Sequence, residues 1–180
     1  MATTQEIHKA NQSYINKFNH QQRQNARYVC TGVLFALLAF SFWDIQYLGA
    51  DHEAIYPLLF SRFTVPAPLF LYIFIKSYQT QPVPPLHNLV STGMLTVFIS
   101  LLLIHWVYFS SGVTLPIDSI LLCSVITYFI PSIFFYQKIG LSLFIMLGYT
   151  LFLSLTEQTQ YELTRAIIYL FFVNLAGFIH

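Results

Sequence analysis

At 180 residues, 56% hydrophobic, 18% aromatic and 8% charged, with mean hydropathy +0.62, the chain falls far below the roughly 25% charged residues of soluble domains and reads as an integral membrane protein. A net charge of +1 with no basic patch leaves nucleic acid out as a partner. No G-x-S-x-G, no glycine-rich phosphate loop, no paired aspartates within the spans and no H-E-x-x-H or C-x-x-C occurs, so the expectation is a non-catalytic chain with no cofactor and no metal.

In chain order, residues 1–27 form a polar leader. Ile7, Ala10, Tyr14 and Phe18 recur there at three- and four-residue steps, which predicts either a short helix on the membrane surface or a solvated tail. Residues 28–180 then hold six apolar stretches: Tyr28 to Gly49, Ile55 to Lys76, Asn88 to Phe109, Leu115 to Tyr136, Ile139 to Leu155 and Leu163 to His180. Each approaches the roughly 20 residues needed to cross a bilayer, so the expected fold is all-α, an integral membrane bundle of six transmembrane helices. Gln79 to Pro85, with three prolines, predicts a stiff extended connection. Pro131 predicts a kink in the fourth span. Cys30 and Cys123 fall inside spans and read as small buried hydrophobes.

Charge sets the expected topology. If the spans alternate, Lys9, Lys17, Arg23, Arg27, Lys76 and Lys138 share one side, while the opposite loops carry Asp51, Glu53, Glu157 and Glu162. The positive-inside rule then puts both termini in the cytoplasm, N-in/C-in.

The second span contains Arg62, with Pro66 four residues on. A charge at that depth costs a few kcal/mol, roughly 2.5–3.5 at a helix centre, so it needs a partner or a purpose. Pro66 has no N–H for the Arg62 carbonyl, which leaves a free backbone oxygen beside the guanidinium. Counting rise from the outer ends puts Asp44, Arg62, His105, Asp118 and Arg165 in the outer half of the bundle, ringed by aromatics including Trp43, Tyr47, Tyr56, Trp106 and Tyr108. These predict a polar pocket for a small amphipathic ligand, with Arg62 binding an anionic or carbonyl group, Asp44 and Asp118 setting the charge, and His105 adding pH sensitivity. The competing expectation is a structural Asp44–Arg62 salt bridge beneath an ordinary interfacial aromatic belt. Near the inner end, Asn174 and Gly177 make a small-and-polar patch suited to helix–helix or dimer contact, and the inner half otherwise offers few polar groups.

Trp43 and Asp44 ending the first span, Ser61, Arg62 and Phe63 with Pro66 in the second, and Asn174, Leu175, Ala176 and Gly177 ending the sixth resemble the MASE-type membrane sensory domains that precede bacterial nucleotide cyclases. The resemblance implies a homodimeric input module in the lipid bilayer whose last helix leads, after His180, into a cytoplasmic output domain such as an adenylate or diguanylate cyclase. The rival readings are a quorum-sensing-type receptor for a hydrophobic signal, a small transporter or channel, and a pure membrane anchor and dimerisation element.

Overall fold

The computed structural model describes residues 4–79, 85–112, 118–130, 132–156 and 160–179, and among these every regular element is helical. The elements are α1 (Thr4–Leu48), α2 (Ile55–Phe63), α3 (Pro66–Ser77), α4 (Leu86–Ser110), α5 (Asp118–Phe129), α6 (Phe135–Leu155) and α7 (Gln160–Ile179). The stiff loop expected over 79–85 falls mainly on 80–84, outside the described residues, as do Pro131, Glu157 and His180.

Among the described residues, four stretches are long and apolar enough to cross a membrane: Asn11–Leu48, Ile55–Ser77, Leu86–Ser110 and Phe135–Leu155. Phe35, Phe42, Leu147, Leu151 and Phe172 stand exposed on the bundle's flanks, surface that suits lipid and not water. The chain is thus a multi-pass membrane protein.

One expected span differs. Among the described residues the fourth, expected over Leu115 to Tyr136, is helical over the 12 residues of α5, about 18 Å, with the chain turning at Ser132 and Ile133 before α6 begins. The sixth, expected over Leu163 to His180, corresponds to α7, Gln160–Ile179. At the other end of the chain, α1 runs unbroken for 45 residues, about 67 Å, so the polar leader is helical from Thr4 and continuous with the first span. Tyr14 and Phe18 are exposed on it; the side chains of Ile7 and Ala10 lie outside the described residues.

Helix ends follow local chemistry. Gly49 closes α1 at φ 89°, its N–H bonding Ile45 O, and Gly112 plays the same part after α4 at φ 71°. Between α2 and α3 the rod is interrupted at Thr64 and Val65, because neither Pro66 nor Pro68 can donate to the preceding turn. Many hydroxyls inside the helices bond a carbonyl one turn back, as Ser41 does to Leu37 O and Thr150 to Met146 O, which meets their polarity within the helix.

The helices pack in two groups that share α4. α1, α2, α3 and α4 contact one another, α5, α6 and α7 form the second set, and α4 joins them by packing on α5 and α6. The main core holds Cys30, Phe70, Ile73, Val90, Met94, Phe98, Ile120, Ile145 and Leu170, all essentially inaccessible, and a smaller one holds Ala54, Leu58, Ile104 and Tyr108. Gly93 leaves room for the Phe70 ring between α3 and α4.

Asn174 and Gly177, one turn apart on α7, together seat Tyr128 of α5. The Tyr128 hydroxyl donates to Asn174 Oδ1 at 2.8 Å, and a Cβ at Gly177 would be driven into the Tyr128 ring. Ser142 of α6 also bonds Asn174 Oδ1, so the patch is used for helix–helix contact within one chain. Gly177→Ala should therefore destabilise the fold by about 1–3 kcal/mol through overpacking. Gly140→Ala, where a Cβ meets no neighbour, should be close to neutral. Thermal melts of both variants in detergent check this.

Candidate functional site

The strongest polar feature lies where α1, α2 and α4 meet. Asp44 stands one turn before the end of α1, and Arg62 occupies the last turn of α2. Their Oδ2 and Nη2 atoms are 2.7 Å apart, and the residues are 3% and 6% exposed, so neither charge reaches the surroundings. The other carboxylate oxygen, Oδ1, accepts a 2.8 Å hydrogen bond from the hydroxyl of Tyr108 on α4, itself buried. Each carboxylate oxygen thus faces a different helix.

The break after α2 is part of this arrangement. It gives α2 a C-terminus beside Arg62, and the partial negative charge of a helix C-terminus favours a guanidinium there. The carbonyl seen to gain a cross-helix donor is that of Ser61, which accepts from Ser100 Oγ of α4 at 2.8 Å. Ser100 was not among the expected site residues, and a serine in an apolar run carries no signal of which carbonyl it will meet. Phe40, one turn before Asp44 on α1, presents its ring 5.6 Å from the Arg62 guanidinium carbon and holds it from the side.

His105 is buried on α4, one turn before Tyr108. Its Nδ1 lies 2.8 Å from Leu101 O; a carbonyl can only accept, so Nδ1 carries the proton and Nε2 of the neutral ring is a bare acceptor. The rings of Tyr149 and Phe152 on α6 meet the imidazole edge-on, with centroids 5.4 and 6.2 Å away. Arg62 Nε and His105 Nε2 have no hydrogen-bond partner among the described residues, and Asp44 Oδ2, which has none either, is met by the Arg62 charge alone. The first is a donor and the second an acceptor, and buried polar groups left unpaired call for an explanation.

The remaining expected residues stand apart. Trp43 is 66% exposed and Trp106 53%, each one residue from a buried neighbour, since adjacent helical residues cannot share a face. Trp106 packs edge-on against Phe152 instead. Arg165 lies on α7, which among the described residues touches α5 and α6 but not α1, α2 or α4, and its guanidinium sits over Tyr169 of its own helix. Asp118 is the first residue of α5, and its side chain lies outside the described residues, as does that of Glu162. His52 is engaged in the loop before α2, its Nδ1 accepting from the Ala54 N–H.

At the opposite end, the structure is more polar than the sequence predicts. Beyond the Asn174, Tyr128 and Ser142 set, Lys138 Nζ donates to Tyr128 O at the end of α5, a cation capping a helix C-terminus. Gln137 accepts from the Phe134 N–H and donates to Asn88 Oδ1, fastening α6 to the start of α4.

No family model matches the chain, and neither a curated protein nor a solved structure does.

Removing one partner from the buried pair leaves an uncompensated charge. Asp44→Leu or Arg62→Leu alone should cost about 3–5 kcal/mol, while the double variant should recover most of that loss. Tyr108→Phe, which strips one donor from the carboxylate, should cost about 1–3 kcal/mol. A double-mutant cycle on unfolding midpoints in detergent measures both effects.

Proposed function

We propose that the protein is a sensory or regulatory input module of the bacterial inner membrane, in which the Asp44, Arg62, Tyr108 and His105 network responds to a small ligand. The observation that carries this reading is the pair of unmatched buried atoms, Arg62 Nε and His105 Nε2, beside an ion pair that already neutralises the charge. A group that both accepts and donates, such as a hydroxyl or a carboxylic acid on an amphipathic molecule, would satisfy both.

In this reading the six-span, N-in/C-in arrangement puts the network in the outer half. Arg27, Lys76 and Lys138 belong to the cytoplasmic side, and Asp51 and Glu53 face out. Ligand entry would have to loosen a closed network, and a shift of α1 against α2 and α4 is how binding energy becomes movement. The exit route best supported is α1, because one unbroken helix joins Asp44 to its far end, whereas α7 does not touch the network among the described residues. A cytoplasmic output domain of the nucleotide cyclase type and a homodimer complete the proposal, on the strength of the resemblance alone.

A second reading, a small transporter, is favoured by one observation: the α2–α3 interruption at membrane depth, a device used where broken helices line a substrate path. Vectorial flux into liposomes would establish it.

The test of the sensory reading uses the purified full chain and a panel of medium-chain fatty acids and the matching alcohols, with ligand-induced thermal stabilisation as the readout. Arg62→Lys keeps a positive charge for Asp44 but removes Nε–H, and His105→Phe keeps the ring but removes Nε2. Stabilisation by a panel member, lost in both variants, is the expected result. A response unchanged in both would end the proposal.

A further inference from the structure

Away from the Asp44 network, where α1 and α3 leave the apolar zone together, a cleft of about 440 Å³ is lined by His20, Gln24, Arg27, Tyr28, Thr31, Phe74 and Tyr78. His20, Gln24, Arg27 and Thr31 recur at three- and four-residue steps, so one face of α1 forms one wall, and the last turn of α3 forms the other. Along α1 the cleft runs about 16 Å, from His20 beyond the end of α3 down to Thr31 beside the core residue Cys30.

Arg27 is held at its centre. Its Nη2 donates to Ser77 O at 2.9 Å, its Nε lies 3.3 Å from Ser77 Oγ, and the Tyr78 ring covers it at 3.9 Å. These contacts fix the plane of the guanidinium, and Nη1 makes no hydrogen bond among the described residues. Gln24 and Tyr28 bond each other at 3.1 Å on the neighbouring turn, and His20 is exposed above them. Below Arg27 the walls become the rings of Phe74 and Tyr28.

The charge around this cleft has one sign. Between Glu6 and Asp44, and again between Glu53 and Asp118, the sequence has no acidic residue, while Lys17, Arg23, Arg27 and Lys76 all belong to this end. A pinned guanidinium with polar groups above and aromatic walls below matches one occupant, a phosphate ester on an apolar chain. We propose that this cleft binds the headgroup phosphate of an anionic phospholipid, with Arg27 as the phosphate ligand, His20 and Gln24 contacting the headgroup, and an acyl chain passing along Phe74. The site is separate from the Asp44 network and does not depend on the ligand response proposed for it.

Native mass spectrometry of the full chain in detergent, doped equally with phosphatidylglycerol and phosphatidylcholine, tests the assignment. The phosphatidylglycerol adduct should dominate by about fivefold, the gain expected from one cation close to an anionic headgroup. Arg27→Ala should abolish that preference and His20→Ala/Gln24→Ala should reduce it, whereas Lys17→Ala, outside the cleft, should leave it intact. If Arg27→Ala fails to fold for want of its Ser77 contacts, the double variant decides. Equal adducts from the two lipids, a preference unmoved by the cleft variants, or one lost equally in Lys17→Ala would overturn the site. Displacement of the lipid by free glycerol phosphate at the same concentration would overturn the lipid as its source.

Discussion

An arginine enclosed in an apolar bundle must be met by a carboxylate, and that requirement governs how α1, α2 and α4 stand together. The 2.7 Å contact between Arg62 and Asp44 fixes the height and rotation of α2 against α1, and the Tyr108 hydroxyl on the second carboxylate oxygen does the same for α4. Apolar helices in lipid lack the hydrophobic driving force that orients helices in water, so directional contacts of this kind carry much of the specificity. The proline break belongs to the same constraint, because it ends α2 where Arg62 benefits from a helix C-terminus and frees the Ser61 carbonyl for Ser100.

A second polar layer at the opposite end does for α5, α6 and α7 what the ion pair does for the first group. Asn174 accepts from Tyr128 and Ser142 while its own amide nitrogen donates to Leu170 O, and Lys138 closes the end of α5. Between the layers the contacts are almost wholly apolar, from Phe98 and Met94 to Ile145 and Leu170. The network near Asp44 is closed by its own partners yet retains two unmatched atoms, which makes it a candidate for bistability. The Asn174 layer is a packing device. The Arg27 cleft, lined by cationic, polar and aromatic side chains, lies on another part of α1, so the two parts of that helix present different chemistry.

Much of this was legible in the residues, and the limits have physical causes. The Asp44–Arg62 pairing was one of two expectations beside a ligand pocket, and it rested on the cost of a buried charge with Asp44 at a matching height. The pocket expected around it was drawn too wide. Trp43 and Trp106 were grouped with it by height, but height says nothing about rotation, and both point away. Arg165 was included for the same reason, although α7 packs elsewhere. The role of Tyr108 was hidden among many interfacial aromatics, and Ser100 looked like any small residue in an apolar run. The inner end of the fourth span was drawn too far along the chain because hydropathy counts apolar residues without regard to turns, whereas the chain turns at Ser132 and Ile133.

The sequence by itself determined the class of molecule and the positions of its apolar stretches, because transfer into a bilayer depends on composition and length. It also determined that a charge as deep as Arg62 needs a partner or a purpose and that Pro66 leaves the Arg62 carbonyl without its usual donor, both consequences of single-residue chemistry. Only the tertiary structure decided which faces meet. Helices that are apolar all round carry no stripe from which rotation can be read, so the pairing of Tyr108 with Asp44 and of Tyr128 with Asn174 emerges only when the helices are packed. The same holds for the cleft between α1 and α3, where Arg27 is brought to Ser77 and Tyr78 across fifty positions of chain.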